Sequence, residues 1–218
     1  MTSLPTGSAW VCFDTTALIH FNAIGQLDTL GAWFSPRLAP SVVIEEEIRA
    51  HLSKYPKNQA ILDAPWLQAV PVTEPPDLKD VAEIYKRYAR QAGQDRGEAE
   101  VVVLCARQGW TGIVDDSNGQ KAALDYKAPH CAILTMILAA AGHGLIEADR
   151  AWKLHKDLDA NRGPGRSALT ATAAHRNPFQ ACIRQFEQIV EQREVEWPHI
   201  LGHPGADGLV IRIRNRTP

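Results

Sequence analysis

Acidic residues occur at four separate places in the sequence, each beside an apolar run. Asp14 ends "WVCFD", a glutamate triplet at 45–47 follows "APSVVI", Glu98 lies in "DRGEAEVVV", and Asp115 and Asp116 end "GIVDD". Several carboxylates in one cleft repel each other unless a cation compensates their charge. Hard oxygen ligands suit Mg²⁺ or Mn²⁺, which activate water and bridge to phosphates. The acids therefore predict a metal site for hydrolysis of phosphodiester bonds.

Each acidic position also has an explanation that involves stability alone. Asp14 can cap the helix after it, and Glu98 lies in a first helical turn, where negative charge is favourable. Most of the triplet 45–47 can be solvated. The adjacent pair Asp115 and Asp116 at a strand end is harder to explain in this way. The prediction of a site therefore depends on four coincident positions rather than on any one of them.

The acids can share a cleft only if the elements between them place them at one edge of a sheet. Short apolar runs at 10–14, 37–43, 66–72 and 110–116 are typical of buried strands, and helical patterns separate them. This alternation predicts βαβ units and a parallel sheet. Because sites in such sheets lie at the carboxyl ends of the strands, we expect the acids to meet there.

The remaining sequence predicts helices and a different C-terminal composition. Segment 161–178 is rich in Gly, Ser, Thr, Ala and Pro, which is typical of a linker, and 208–218 alternates like a basic strand. Helices are predicted at 15–34, 44–52, 78–93, 97–109, 117–126, 131–142, 147–158 and 178–194.

Composition indicates an ordinary globular protein. The formal net charge of −2 gives no overall basic footprint, although it does not exclude a local basic groove. The four cysteines are far apart and mostly lie in apolar runs, which predicts reduced, buried thiols. Neither a leader pattern nor an apolar run long enough to span a membrane is present. We therefore expect a cytoplasmic protein without membrane association.

At these residues the sequence resembles the PIN-domain family of metal-dependent nucleases. The matching pieces, in order, are "FDTTALIHF", "PSVVIEEEI", "DRGEAEVVVLCARQG" and "GIVDDSNGQKAA". The similarity is to the prokaryotic subgroup with Gly-Glu-Ala-Glu and Asp-Asp motifs, and it continues through 126–158. It implies an α/β fold, a three-layer α/β/α sandwich with a central parallel sheet of four or five strands. The implied domain is 8–158, followed by an extension, 159–218, of unknown role.

The resemblance also implies an activity and a set of site residues. The activity is Mg²⁺- or Mn²⁺-dependent endoribonucleolytic hydrolysis of single-stranded RNA. By position, the metal ligands are Asp14, Glu98, Asp115 and Asp116. Because Asp115 comes first after the strand, we expect it to contact the metal directly, with Asp116 acting through water. Glu47 completes the catalytic acids, and Thr16 and Asn118 support the site.

Two positions of the motifs leave alternatives open. The second acid fits the family pattern best at Glu47, which stands between Ile44 and Ile48, whereas Glu46 fits less well. Gln120 stands where the family often has arginine, so a neutral amide replaces a charged phosphate contact. Asn118 can also be a simple turn residue.

The candidate partners are RNA, a small antitoxin protein and a second copy of the chain. Proteins of this kind are often the toxins of toxin–antitoxin pairs. Basic residues in and after the helix at 78–93 (Lys86, Arg87, Arg90 and Arg96) are candidates for the RNA path, and His130 can approach the cleft.

Two other functions are compatible with parts of the pattern. One is a catalytically inactive RNA-binding or scaffold protein, which the presence of all five acids disfavours. The other is a metal-dependent phosphatase, whose Asp-x-Asp motif is interrupted here because Thr16 follows Asp14 at the required spacing.

Overall fold

The structure, a computed structural model, describes residues 10–34, 37–89, 95–161 and 176–193. The chain forms two compact units, Met1–Cys131 and Ala132–Pro218. The first unit contains the sheet and every acid of the predicted site. The division lies inside the predicted domain 8–158, whose limits stay a prediction.

The sheet of the first unit is parallel throughout. In the described part of the chain it has five strands, and their order is β3-β2-β1-β4-β5. Their bounds are Val11–Phe13 (β1), Arg37–Pro40 (β2), Leu67–Val70 (β3), Thr111–Ile113 (β4) and His130–Cys131 (β5). The four strands recognised in the sequence and the parallel sheet are thereby confirmed.

The fifth strand, β5, lies where the sequence predicts the start of a helix. Cys131 pairs with Ile113 of β4, and its carbonyl accepts a hydrogen bond from the N–H of Val114 at 3.0 Å. The helix begins two residues later, at Ile133. The prediction of a helix from residue 131 was wrong in this respect, because a two-residue strand is too short to show alternation.

Helices occur in each of the other segments predicted to be helical, whereas the short helix Gln59–Leu62 was not predicted. The single segment predicted at 15–34 is divided into two helices at Gly25, whose φ of 67° is left-handed. A π-helical turn, Val43–Ile48, follows β2. The α-helices are Thr15–Ala23 (α1), Leu27–Trp33 (α2), Gln59–Leu62 (α3), Pro75–Tyr88 (α4), Arg96–Gln108 (α5), Ser117–Asp125 (α6), Ile133–Gly142 (α7), Ala148–Asn161 (α8) and Arg176–Arg193 (α9).

Helices cover both faces of the sheet in the first unit. On one face, Cys12 and Leu38 of the sheet join a buried cluster with side chains of α4, α5 and α6. On the other, the ring of Phe13 meets Phe34 edge to face at 5.5 Å, after α2. Burial of each large apolar side chain contributes about 1.5–3 kcal/mol. The expected three-layer α/β/α sandwich is confirmed.

The second unit is built, within the described residues, from α7, α8 and α9. Every residue of α7 is buried. Gly142 ends this helix, and a Cβ there would overlap Phe186 of α9. Trp152 of α8 packs edge to face on Phe179 of α9 at 5.2 Å. The predicted linker and basic strand fall largely or wholly outside the described residues.

Two expectations from composition can be compared with the fold. All four cysteines are free and buried, as predicted. In the described ranges, no helix has both the length and the apolar character needed to cross a membrane.

Gly109 ends α5 in a conformation that glycine favours, and this generates a prediction. Its φ is 70°, its N–H donates to the carbonyl of Cys105 at 3.0 Å, and a Cβ there would meet no atom within 4 Å. Gly109→Ala should therefore lower the free energy of unfolding by about 1 kcal/mol through backbone strain alone. Urea unfolding measures this loss in the free energy of unfolding. Gly109→Asn is the matched control and should cost less, and equal losses would contradict the explanation.

Candidate active site

Asp14 leaves the end of β1 and is almost completely buried, with 3% of its surface exposed. Its Oδ1 accepts a hydrogen bond from the N–H of Ala17 at 2.7 Å, so it caps α1. Its own N–H donates to the carbonyl of Ile113 on β4 at 3.3 Å. The capping role considered from the sequence is therefore real, and it holds the carboxylate at the carboxyl edge of the sheet.

Two other acids act on Asp14 electrostatically. The pKa of Asp14 is raised to about 7, chiefly by burial and in smaller part by the negative charges of Asp115 and Glu47, whereas hydrogen bonds from the N–H groups of Ala17 and Asp115 oppose the shift. Such effects require the groups to be close. The structure thus brings together three of the predicted acids from three distant parts of the chain.

Glu47 lies in the π-helical turn Val43–Ile48 and is half-buried. Its Oε1 accepts a hydrogen bond from the N–H of Gly97 at 3.3 Å, and its Oε2 accepts one from the hydroxyl of Thr15. An extra residue in a helical turn is frequent at functional sites because it redirects side chains. Glu47 consequently connects the first turns of α1 and α5.

The other two glutamates of the triplet are exposed. Glu45 pairs with Arg49 at 2.9 Å, and Glu46 pairs with Arg96 at 3.5 Å. The choice of Glu47 over Glu46 as the second acid stays a prediction. Its burial and its two hydrogen bonds support that choice.

Glu98 lies in the first turn of α5 and is half-buried. Its carboxyl group occupies the space beside Gly119 of α6, where any Cβ would overlap it. The same carboxyl group lines a small cavity together with Tyr88 and Asp95. Glycine at position 119 is therefore what allows Glu98 to lie against α6.

Asp116 and Asn118 organise the start of α6. The carboxylate of Asp116 caps the helix by accepting from the N–H of Asn118 at 2.7 Å. The side-chain amide of Asn118 donates to the carbonyl of Tyr88 at 3.0 Å, which ties α6 to the end of α4. The amide of Gln120 donates to the carbonyl of Val114 at 3.1 Å. These amides therefore have structural contacts, whatever further role they have in the site.

Sequence reasoning did not identify Thr15. It selected the neighbouring Thr16, which resembles the family position, as the residue that hydrogen-bonds within the site. The hydroxyl that reaches Glu47 belongs to Thr15. Adjacent threonines at a helix start cannot be distinguished by pattern, because the direction of each side chain depends on tertiary geometry.

Glu100 is not among the site residues predicted from the sequence. It is 3% exposed, Arg96 approaches its Oε1 at 3.7 Å, and among the described residues no donor reaches its Oε2. Burial raises the pKa of Glu100 to about 7, with Arg96 opposing the shift and Glu46 adding to it. The only signal in the sequence is that apolar residues surround it at 99 and 101–105.

The basic residues predicted along the RNA path have different surroundings. Arg87 pairs with Asp125 at 3.1 Å, whereas Arg90 lies outside the described residues. His130 is on β5, where its Nδ1 is 2.9 Å from the carbonyl oxygen of Ala128.

The donor set at this edge fits a hard divalent cation in its chemistry. All the predicted ligands are carboxylates, and the charges of Asp115 and Glu47 add to the effect of burial in raising the pKa of Asp14. Across the residues described, no group of three or more His, Cys, Asp or Glu side chains has the arrangement of a metal cluster. The ligand assignment of Asp14, Glu98, Asp115 and Asp116 therefore stays a prediction.

Comparison with protein families gives a match over most of the chain. A family model described as a PIN domain matches residues 10–162, more than two thirds of the chain. Neither the curated proteins nor the solved structures gave a significant match.

The buried carboxylate of Asp14 should make the metal-free protein less stable as the pH rises. Its folded pKa, about 7, exceeds the ordinary value of 3.8, so the folded state binds its proton more tightly. The free energy of unfolding therefore falls between about pH 4 and pH 7 and stays low above that range. Asp14→Asn should remove this cost and raise the free energy of unfolding above pH 7 by roughly 1–3 kcal/mol, since one pKa unit corresponds to about 1.4 kcal/mol.

Urea unfolding in the presence of a chelator, at pH 4.5 and pH 8, measures the effect. The matched control is Asp28→Asn, at an exposed position in the first turn of α2. An Asp14→Asn variant that is no more stable than the original chain at pH 8 would overturn the expected cost.

Proposed function

The chain belongs to the PIN-domain family, which has a fold of the nuclease type, and from that premise we propose that it is a Mg²⁺- or Mn²⁺-dependent endoribonuclease acting on single-stranded RNA. The observation that carries the proposal is the meeting of acids at the buried end of β1, where burial first, and then the charges of Asp115 and Glu47, raise the pKa of Asp14. Capping of α1 by Asp14 does not require the charges of Asp115 and Glu47 beside it. A divalent cation would relieve the repulsion.

The residues have separate tasks in this proposal. Asp14, Glu98, Asp115 and Asp116 would hold the cation, and Thr16 and Asn118 would support the arrangement. When bound, the divalent ion supplies an activated water and neutralises charge on the scissile phosphate. Asp14 contributes a carboxylate that β1 and the cap of α1 hold rigidly. Glu47, fixed by hydrogen bonds to both carboxylate oxygens, orients the attacking water and accepts its proton.

The proposal also covers the cellular compartment and the protein partners of the chain. The chain acts in the cytoplasm, and its partner besides RNA is a small antitoxin protein or a second copy of itself. A neighbouring gene for a short DNA-binding protein would support the toxin version. Co-purification of the two gene products from one operon, with loss of nuclease activity in the complex, is the corresponding test.

The main prediction concerns metal-dependent cleavage of RNA. The protein should cleave unstructured single-stranded RNA with Mn²⁺ and lose this activity in a chelator. Asp14→Asn should lower kcat at least about 100-fold, because it removes a charged ligand at the reacting centre. Gel-resolved cleavage of a panel of labelled RNAs measures the rates, and Asp28→Asn should retain the full rate.

The rival functions predict different results in the same assay. Equal, near-zero cleavage by the original chain and by Asp14→Asn, over the whole RNA panel, would favour an inactive RNA-binding or scaffold protein. Metal-dependent turnover of a phosphomonoester, without RNA cleavage, would favour a phosphatase.

Arg96 contacts two acids that neighbour the predicted site residues Glu47 and Glu98. It begins α5 and is 50% exposed, and its guanidinium approaches Glu46 and Glu100 only at 3.5 and 3.7 Å. Arg107 lies near the other end of the same helix with similar exposure, and its Nε is 2.9 Å from Asp77. The loose contacts of Arg96 leave its donors accessible to a phosphate.

Arg96→Gln should therefore weaken binding of RNA rather than its chemistry. We expect KM to rise about 3–10-fold, kcat to stay within about 2-fold, and the salt dependence of binding to decrease by about one unit of slope. Cleavage kinetics at several salt concentrations measure these values. Arg107→Gln is the matched control and should leave KM unchanged. The same rise in KM in both variants would contradict a specific phosphate contact.

A further inference from the structure

Thr15 is the first residue of α1, directly after the buried Asp14. A threonine at a helix start usually serves to cap the helix. Here the carboxylate of Asp14 already caps α1 by accepting from Ala17. The hydroxyl of Thr15 instead donates a hydrogen bond to Oε2 of Glu47, which lies thirty-two residues further along the chain. The local structure does not need this hydroxyl, so its contact with Glu47 calls for another explanation.

The second oxygen of Glu47 is held from a different helix. Oε1 accepts from the N–H of Gly97 in the first turn of α5, at 3.3 Å. A Cβ at residue 97 would lie 2.9 Å from this oxygen and 2.6 Å from Cγ2 of Val43. Glycine therefore allows the backbone of α5 to approach the carboxylate. Within the described ranges, each oxygen of Glu47 has one protein donor, and a carboxylate oxygen can accept a second hydrogen bond or bind a further ligand.

We propose that Thr15 is a positioning residue that fixes the carboxylate of Glu47 for the metal-dependent reaction; this inference rests on the proposed function. A glutamate side chain rotates about three bonds, and the N–H of Gly97 restrains only one of its two oxygens. The hydroxyl of Thr15 restrains the other through a hydrogen bond to a charged acceptor, which is stronger than a neutral one. Such restraint matters because a displacement of about 1 Å at a reacting centre can cost about 100-fold in rate.

Replacement of the hydroxyl by a methyl group tests the proposal. Thr15→Val keeps the shape of the side chain and should lower kcat about 10-fold while KM stays within about 2-fold, because the group acts on chemistry and does not touch substrate. Thr15→Ser restores the donor and should recover kcat to within about 3-fold of the original chain. Thr29→Val, which removes a hydroxyl that donates to Gln26 at 3.0 Å in α2, is the matched control.

A double variant separates positioning from general damage to the fold. If Thr15 acts through Glu47, adding Thr15→Val to Glu47→Gln should lower kcat no further than Glu47→Gln alone. Multiplied losses in the double variant would overturn the proposal. A Thr15→Val variant that is folded by circular dichroism and as active as the original chain would overturn it as well. Should Thr15→Val fail to fold, Thr15→Ala takes its place in both comparisons.

The failure of this inference can be distinguished from failure of the proposed function. If the original chain cleaves no RNA, the proposed function fails, and urea unfolding of the original chain, Thr15→Val, Glu47→Gln and the double variant then tests the contact itself. A double variant that loses less unfolding free energy than the sum of the two single losses would support restraint of Glu47 by Thr15. Additive losses would overturn the inference.

Discussion

Burial of the Asp14 carboxylate at the end of β1 is the constraint on which the first unit depends. The register of the sheet pairs Phe13 with Ile113, so β1 and β4 end together. Asp14 and Asp115 therefore leave the sheet close to each other, and a parallel sheet of this order offers no way to separate them. Two backbone N–H groups stabilise the Asp14 carboxylate only in part, and its pKa remains at about 7. The sheet thus keeps negative charge where solvent reaches it least.

The protein itself compensates the negative charges of these acids at the starts of its helices. Asp14 caps α1, Asp116 caps α6, and Glu47 accepts a hydrogen bond from the first turn of α5. The amino end of a helix carries a partial positive charge, so each acid lies where the backbone favours it. A structural and a catalytic explanation for these acids are consequently not alternatives. The geometry that caps the helices also gathers the carboxylates.

The sequence was sufficient for the fold because periodicity and motif order carry that information. Four strands and the parallel sheet follow from apolar runs alternating with helices, whereas the three layers and the family follow from the resemblance of the four motifs. It missed β5, which has two residues, and it did not divide the helical segment at Gly25. Both features depend on pairing and backbone conformation rather than on hydrophobic period.

The site was predictable only at the level of which segments meet. The positions of Asp14 and Asp115 beside each other follow from strands ending at one edge. The rotation of each helix about its axis decides which side chains face the site. It determines that Thr15 rather than Thr16 contacts Glu47, and that Glu100 is more buried than Glu98. Residues two apart on a helix point about 200° apart, and a single sequence does not fix which direction faces inward. Tertiary packing decides such questions.

The packing of α9 on α7 determines how far the chain can be truncated at its C-terminal end. The family match ends at residue 162, ahead of α9, yet α7 lies inside the matched segment and is buried on every side. Phe186 of α9 covers Gly142 and is itself fully buried. A chain shortened to the matched segment would leave one side of an almost entirely apolar helix in water. Such a surface promotes self-association, so α9 is needed to cover α7 although it lies beyond the matched segment.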